Sequence, residues 1–395
     1  MKITRIGIIA NTIIRPGMSG GTRILIECAK AWLDRGIVIY VFTSDVGEKL
    51  CRDNGLNGAK YVTWASSKYK GVSAIVLFLI GTVKGCLIAM KNSQQMNKTI
   101  IYSNSDFWPD SVPGFIAKLR NKNSQWIAAL YLFAPSPLSK ESPYRGRKFL
   151  RGLLYWLSQI PTYQLIKKYA DMVWVTNELD RWMFIDGKRL TSDRVIAVRG
   201  GVDTKTPASI PEPKEKRFDA VFIGRFHPQK GVLELMDIWK YVVERKKDAK
   251  LAIIGVGDLE REVREKIKKY GSEDNITLFG FKDGVEKLKI FKDSKVVVHP
   301  AIYDSGGMAA CEAMACDLPG VSFDLPALRS YYPKGMLKTP CFDLKAFAEN
   351  ILKLLNDEKL YKKTSKDALD WAEKWDWDKR AEELLETIKR AWGIS

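Results

Sequence analysis

Histidine and paired cysteine are scarce in this sequence of 395 residues. With His227 and His299 as the two histidines, a histidine-based zinc site and a Ser-His-Asp triad both have few candidates. The six cysteines are scattered without a C-x-x-C pair, which predicts reduced intracellular thiols rather than a disulfide framework. The N-terminus lacks the pattern of a signal peptide. We therefore expect a protein that stays in the cytoplasm.

Low-complexity tracts and internal repeats are also missing. The apolar fraction of 46% and the charged fraction of 28% are those of ordinary soluble proteins, which excludes disordered, collagen-like and mainly membrane-embedded chains. The length fits two domains of ordinary size.

The net charge of +18 is unevenly distributed. Residues 1–200 carry 29 basic and 13 acidic side chains, whereas residues 201–395 carry 35 and 33. The first half therefore faces an anionic partner: nucleic acid, an anionic membrane surface or a phosphorylated substrate. Charge alone does not choose among these, but no recognition motif or aromatic platform supports nucleic acid.

Short runs rich in Val and Ile recur between helix-like segments in both halves. This pattern predicts buried parallel strands with crossover helices, and hence an α/β fold of two doubly wound Rossmann-like domains facing a cleft. A proline-containing linker at 204–218 divides an N-terminal domain (1–204) from a C-terminal domain (205–375). The runs are 6–10, 37–43, 61–65, 99–104, 126–132, 172–177, 195–200, 220–224, 250–255, 276–281, 295–300 and 320–324.

Two segments of the first half are unusually apolar. Residues 71–90 carry one charge, Lys84, and meet the length rule for a membrane span. Because they lie between two predicted strands of one sheet, we expect a crossover helix, buried or facing a membrane. Residues 145–168 predict a helix that is either a core helix with a basic rim or a helix lying on an anionic membrane. Its apolar face holds Phe149, Leu150, Leu153, Leu154, Leu157 and Ile160, flanked by Arg145, Arg147, Lys148, Arg151, Lys167 and Lys168.

Two glycine-containing loops are candidates for binding anions. Gly20 and Gly21 precede a helix in the first half, where a close backbone approach and free helix amides suit an anion, although a plain tight turn fits equally well. In the second half the segment GRFHPQKG places Gly224, Arg225 and Lys230 after a strand. Two cations five residues apart can reach two phosphates of one diphosphate.

A third motif, DSGGMAACE, spans Asp304 to Glu312. The turn Ser305-Gly306-Gly307 precedes a helix of small residues, which is typical of an anion cradle. Eight helical residues separate the two carboxylates by about 12 Å, too far for a glycosidase pair at about 5 to 9.5 Å. They suit the two ends of an elongated ligand, with Glu312 binding vicinal hydroxyls.

Taken together, these motifs resemble the retaining glycosyltransferases with the GT-B fold, the group often called family 4. Members carry a Gly-Gly turn after the first strand, a G-R-x-x-x-x-K-G-like segment opening the second domain, and two glutamates eight apart around a glycine turn. The resemblance spans most of the chain and is weakest in the middle of the first domain. It further covers RGGVD (199–203), IGVGD (254–258), LFGF (278–281) and the closing segment 374–392.

The resemblance implies a metal-independent glycosyltransferase without a cofactor, whose donor is a nucleotide-diphosphate sugar. Arg225 and Lys230 would neutralise the leaving diphosphate, and Glu312 would hold the ribose hydroxyls. The remaining donor contacts would come from Asp304, Ser305, the backbone of Gly306, Gly307 and Met308, the glycines Gly20, Gly21, Gly224 and Gly280, and Phe281 against the base.

For the first domain, the resemblance implies acceptor binding, with the C-terminal helix (about 376–395) packing back onto it. A glycan or lipid-linked acceptor at the inner membrane face, with peripheral contact to anionic lipid, accounts for the basic charge.

Two departures from the family leave an alternative open. Asp304 is one methylene shorter than the usual glutamate, and the region 128–137 supplies no histidine. A protein that binds a nucleotide sugar without turning it over is therefore the second hypothesis.

Overall fold

The computed structural model describes residues 3–15, 17–69, 71–139, 142–144 and 146–393. The predicted basic residue Arg145 and the side chain of Arg147 lie outside the described part. The chain forms two units. The first consists of Met1–Ser136, Phe149–Gly200 and Trp377–Ser395, and the second of Pro137–Lys148 and Gly201–Asp376.

Seven strands build the parallel sheet of the first unit, in agreement with the seven apolar runs predicted there. They are β1 (Arg5–Ala10), β2 (Val38–Ser44), β3 (Lys60–Trp64), β4 (Ile100–Ser103), β5 (Gln125–Ala129), β6 (Met172–Val175) and β7 (Val195–Ala197). Their order across the sheet is β3-β2-β1-β4-β5-β6-β7. The chain thus crosses over to both sides of β1, which is the doubly wound arrangement.

Six helices of the first unit connect these strands: α1 (Gly20–Asp34), α2 (Asp45–Asp53), α3 (Ala74–Lys91), α4 (Trp108–Arg120), α5 (Phe149–Tyr169) and α6 (Glu178–Phe184). The apolar segment 71–90 therefore contains the crossover helix α3, which runs between β3 and β4 as predicted. Among the described residues, no helix has both the length and the apolar character to cross a membrane.

Six strands build the parallel sheet of the second unit. They are β8 (Phe218–Ile223), β9 (Leu251–Ile254), β10 (Ile276–Leu278), β11 (Ser294–His299), β12 (Gly320–Phe323) and β13 (Met336–Thr339). Their order, β10-β9-β8-β11-β12-β13, repeats the doubly wound pattern of the first unit. The five runs predicted in the second half are confirmed, while the edge strand β13 was not predicted.

The helices of the second unit are α7 (Lys205–Ser209), α8 (Val232–Arg245), α9 (Glu260–Lys269), α10 (Gly284–Lys292), α11 (Met308–Met314), α12 (Pro326–Arg329), α13 (Leu344–Asn356) and α14 (Glu358–Ala372). Large buried side chains such as Trp239 and Phe323 fill one core cluster, and Tyr331 and Trp375 another. Residues 137–148, which lie within the predicted N-terminal domain, group with this unit instead. Tyr144 accounts for this, since its ring packs edge-on against His227 at 5.9 Å.

The C-terminal helix α15 (Trp377–Trp392) belongs to the first unit, where it packs against α1. The indole Nε1 of the buried Trp32 donates to the carbonyl oxygen of Ala381 at 3.0 Å. Near the other end of the helix, Arg194 donates to the carbonyl oxygen of Ala391 at 3.3 Å. Both contacts are made to backbone carbonyls, one near each end of α15, so they hold both ends of the helix against the first unit.

Replacing Trp32 with Phe tests this attachment. The variant loses the indole donor and leaves the buried carbonyl of Ala381 without it, so we expect the free energy of unfolding to fall by about 1–3 kcal/mol. Trp182→Phe is the matched control, because that side chain is 69% exposed, and it should change stability by less than about 0.5 kcal/mol. Urea unfolding measures both. Equal stability of the two variants would contradict this account of α15.

Candidate functional site

The loop after β8 presents one cation to solvent and holds another. Phe226 anchors it: its side chain is buried, and its amide donates to the carbonyl of Val256 at 2.9 Å. Arg225, directly before this anchor, is exposed. No hydrogen bond or ion pair joins its guanidinium to any residue in the described part of the chain. Arg225 is therefore available to an anion from solvent.

The same loop folds back so that Lys230 returns to its start. A Cβ atom on Gly224 would lie 3.7 Å from Cβ of Lys230. Gly231 then adopts φ +65°, and a Cβ there would come within 1.8 Å of the carbonyl oxygen of Pro300. Glycine is thus required at 231 by both conformation and space. The structure brings Gly224, Arg225 and Lys230 together, as the sequence predicts.

Lys230 is paired with a carboxylate. Its Nζ lies 2.5 Å from Oδ2 of Asp304, which follows β11. The other oxygen, Oδ1, accepts from the amides of Ser305 at 3.0 Å and Gly306 at 3.4 Å. Burial raises the pKa of Asp304, but the Lys230 ammonium and the neighbouring His299 outweigh it and hold the pKa well below its usual range. Asp304 is therefore ionised.

The carboxylate of Asp304, which is predicted to contact the donor sugar, has partners within the second unit. Its side chain is 9% exposed, and both oxygens already bind groups of the site. His299 Nε2 lies 3.4 Å from Oδ2, and burial lowers the pKa of this histidine. Lys230, whose Nζ lies 2.5 Å from Oδ2, is the nearer basic group and compensates the charge of Asp304. Asp304 thus fixes Lys230 and the glycine turn, a role that its short side chain makes possible.

Two tyrosines dictate the glycine turn before α11. A Cβ on Gly306 would lie 2.7 Å from Oη of Tyr331, and one on Gly307 would lie 1.2 Å from Oη of Tyr332. The Tyr332 hydroxyl donates to the carbonyl of Gly307 at 2.5 Å. The helix then begins at Met308 without a side-chain cap from the described residues. Amides at such a helix start are open to an anion.

Glu312 lies on α11 and pairs with a lysine that the sequence analysis missed. Its Oε2 is 3.0 Å from Nζ of Lys287, which also lies 2.8 Å from Oδ1 of Asp283. Lys287 is buried; burial opposes its charge, but the carboxylates of Glu312 and Asp283 more than offset this and raise its pKa. Asp283 caps α10 and lies four residues before Lys287, a spacing that signals a local pair, whereas the contact with Glu312 spans 25 residues and leaves no local signal.

An exposed aromatic ring follows β10. Phe281 is 59% exposed, next to Gly280, whose φ is +68°. The carbonyl of Gly280 accepts from the amide of Gly255, after β9, at 2.8 Å. The loops that follow β9 and β10 are therefore joined, and Phe281 offers a flat apolar surface at their carboxyl ends.

Gly20 and Gly21 lie in the first unit, whereas every other predicted site residue lies in the second. They begin α1, where Ser19 Oγ accepts from the amide of Thr22 at 3.1 Å. A Cβ on Gly21 would come within 2.8 Å of the ring of Tyr131. Tyr131 follows β5 in the region searched for a histidine, and its hydroxyl lies 2.6 Å from that of Tyr102. Tyr131 belongs to no motif of the sequence.

Across the described residues, no group of three or more His, Cys, Asp or Glu side chains is placed to hold a metal ion.

Comparison with known proteins identifies relatives of the chain. Residues 204–371 match the family described as Glycosyl transferases group 1. An uncharacterized glycosyltransferase of Methanocaldococcus jannaschii is 30% identical over 317 residues, which is 79% of this chain and 79% of that protein. The poly(glycerol-phosphate) alpha-glucosyltransferase of Bacillus subtilis is 23% identical over 224 residues, 54% of this chain and 33% of that protein.

With two further uncharacterized glycosyltransferases of Methanocaldococcus jannaschii, the match spans less than half of their length, 44% in each case. Among solved structures, Anabaena HepE in complex with UDP and glucose aligns with a TM-score of 0.73, covering 98% of this chain and 99% of that chain at 15% identity. This likeness shows that the two proteins share a fold.

Lys287→Met tests the pairing on α11. Removal of this buried cation leaves Glu312 and Asp283 facing each other without compensation, so we expect the free energy of unfolding to fall by about 2 kcal/mol. Lys282→Met is the control from the residues just before α10, since its partner Glu286 is 72% exposed, and it should leave stability unchanged. Both are measured by urea unfolding. A Lys287 variant as stable as the control would refute the pairing.

Proposed function

The chain belongs to the glycosyltransferases with the GT-B fold described as group 1, and we propose that it is a retaining glycosyltransferase using a nucleotide-diphosphate sugar. The observation that carries this proposal is the cation loop after β8. There Arg225 is exposed and uncompensated by any described residue, and Lys230 is held on the same loop by Asp304. One exposed cation and one held cation on the same loop, at the carboxyl end of a parallel sheet, suit a diphosphate.

In the proposed reaction the bond between the sugar and the diphosphate breaks, and an acceptor hydroxyl oxygen bonds to the same sugar carbon. The hydroxyl proton ends on the departing diphosphate. Attack from the face that the diphosphate leaves retains the anomeric configuration. Negative charge grows on the diphosphate as the bond breaks, so Arg225 and Lys230 stabilise the transition state more than the bound donor. We propose that the reaction needs no metal or cofactor.

Donor recognition involves the other residues of the second unit. We propose that Glu312, held by Lys287, accepts hydrogen bonds from the ribose hydroxyls, and that Phe281 packs against the base. The turn of Ser305, Gly306, Gly307 and Met308 approaches the phosphate and sugar through its backbone. We assign Gly20 and Gly21 to donor binding from the first unit. The Anabaena protein, crystallised with UDP and glucose, supports a donor of this class.

We propose a positioning role for Asp304 in place of the sugar contact expected from the family resemblance. Its Oδ2 holds the ammonium of Lys230 and its Oδ1 accepts the turn amides. The carboxylate therefore acts on the diphosphate through Lys230.

The acceptor belongs to the basic first unit in this proposal. The three segments of the first unit carry 29 basic and 16 acidic side chains, an excess of 13 basic ones, which favours a phosphorylated or lipid-linked glycan. The Bacillus subtilis relative acts, by its name, on poly(glycerol-phosphate), an anionic acceptor. We propose that transfer takes place in the cytoplasm at the inner membrane face. The second candidate is a nucleotide-sugar-binding protein without turnover, because Asp304 replaces the family's glutamate and residues 128–137 contain no histidine. Measurable donor hydrolysis would exclude it.

Arg225→Ala tests the diphosphate clamp. The donor is chosen as the UDP-, GDP- or ADP-sugar that most raises the melting temperature, since selective binding stabilises the folded state. We expect kcat/KM for this donor to fall at least about a hundredfold, because one charge contact in the transition state is lost. The melting temperature without donor should not change, as Arg225 has no described partner.

Arg261→Ala serves as the control, since Arg261 is an 80% exposed arginine of the second unit. It should keep full turnover. Undiminished turnover in Arg225→Ala would contradict the proposed function. A double variant that includes Lys230→Ala is less informative, because it also leaves the buried Asp304 uncompensated.

Asp304→Asn separates a positioning role from a sugar contact. If Asp304 holds Lys230, the variant should bind both UDP and the UDP-sugar more weakly, and the two dissociation constants should rise by the same factor, about tenfold to a hundredfold. A direct sugar contact would weaken binding of the UDP-sugar alone. Calorimetric titration of both ligands makes the comparison, with Asp324→Asn as a control in which an exposed pair with Arg329 is lost. Loss confined to the UDP-sugar would refute the positioning role.

A further inference from the structure

The helices on one side of the first unit expose an unusual amount of apolar surface. In the described part of the chain, 23 large apolar side chains are exposed. Of these, six lie on α3, six on α5 and three on α6, which makes 15. We call these exposed side chains of Ala74–Lys91, Phe149–Tyr169 and Glu178–Phe184 the apolar face. We infer that the apolar face docks onto the surface of an anionic lipid bilayer. Exposed apolar patches of this extent mark interaction sites.

The arrangement of α3 is the reverse of that in a helix of a soluble core. The residues packed inward are Leu77, Gly81, Gly85 and Ala89. A Cβ on Gly85 would lie 2.8 Å from the Pro113 ring of α4, so this helix buries a row of mostly small side chains. The large ones point outward at helical spacing: Ile75, Val76, Leu79, Val83, Leu87 and Met90.

Aromatic contacts join the three helices into one surface. Phe78 of α3 packs against Phe107 at 6.0 Å, and Phe107 packs against Tyr155 of α5 at 5.8 Å. The Tyr163 hydroxyl of α5 donates to the carbonyl of Met183 on α6 at 2.6 Å. The apolar stripes are therefore neighbours on a continuous surface.

Charge identifies the occupant. The helices α3 and α5 contain five basic residues and no acidic residue: Lys84, Lys91, Arg151, Lys167 and Lys168. The third helix, α6, adds Arg181 and the acidic Glu178 and Asp180, so the three helices together carry six basic and two acidic side chains. Basic side chains beside an apolar helical face suit anionic headgroups above acyl chains. On α6, Trp182 is 69% exposed, and tryptophan is favoured at membrane interfaces. A second copy of this chain would bring two basic surfaces together, so the bilayer is the better partner.

Docking of this kind complements the proposed function without depending on turnover. It would place the first unit, to which we assign the acceptor, at the surface where a lipid-linked glycan lies. Binding to lipid can therefore be measured without donor or acceptor, and its failure is distinguishable from a failure of catalysis.

Vesicle flotation of the full chain tests the inference. Vesicles of phosphatidylcholine with 30% phosphatidylglycerol, about the anionic content that recruits basic surfaces, are compared with pure phosphatidylcholine. We expect the protein to float with the anionic vesicles at least tenfold more strongly, and added salt to weaken the binding because it screens the basic residues. Protein that stays with the soluble fraction in both cases would overturn the inference.

The double variant Val83→Gln/Leu154→Gln removes one apolar side chain from each of α3 and α5, exposed to 58% and 49%. We expect at least tenfold weaker flotation, with unchanged melting temperature and unchanged donor hydrolysis. The matched control is Val285→Gln/Phe342→Gln in the second unit, exposed to 49% and 51%, which should float like the parent.

Three further outcomes decide between explanations. If the Arg225→Ala variant loses turnover but still floats with anionic vesicles, docking is independent of catalysis. Equal flotation of the α3/α5 variant and its control would overturn the inference. The inference would also be overturned if the parent protein sediments as a dimer and does not bind vesicles while the α3/α5 variant sediments as a monomer. The apolar face would then bind a second copy of the chain.

Discussion

The ion pair between Lys230 and Asp304 is the interaction on which the candidate site depends. It joins the loop after β8 to the turn after β11, two strands that are neighbours in the second sheet. Because Asp304 is buried and also accepts the amides of Ser305 and Gly306, its charge fixes the ammonium and the glycine turn at once. A buried carboxylate without a cation would be costly, so the pair also constrains how the two loops fold.

The two carboxylates at α11 are each paired with a lysine. Asp304 before the helix is compensated by Lys230, and Glu312 within it by Lys287. Lys230 comes from the loop after β8 and Lys287 from α10, so each carboxylate is held by a different part of the second unit. Arg225 has no such compensation among the described residues, and its charge is therefore the one left for an incoming anion. A site whose other charges are already balanced responds selectively to a ligand that brings negative charge near Arg225.

The fold was more predictable from the sequence than the site. Twelve of the thirteen strands were predicted, since buried parallel strands are continuous runs of Val and Ile. The exception, β13, is four residues long and contains Lys338. Local motifs also predicted the cations and glycines. Lys287 was missed because its partner Glu312 is distant in sequence, and the ion pair of Asp304 with Lys230 likewise spans 74 residues and leaves no local signal. Tyr144, which groups residues 137–148 with the second unit, had no sequence signal.

The segment 71–90 shows why hydropathy alone could not decide the function of an apolar helix. Its length and composition met the rule for a membrane span, and only its place between two predicted strands favoured a crossover helix, either buried or facing a membrane. The neighbouring helix α4 determines which face of α3 is buried. Prolines of α4 pack closely against glycines of α3, and because this buried face holds small residues, the large side chains of α3 point outward. An exposed face of this kind favours aggregation, which a strongly basic first half opposes by self-repulsion. The same charge attracts anionic lipid, so one feature of composition serves both solubility and docking.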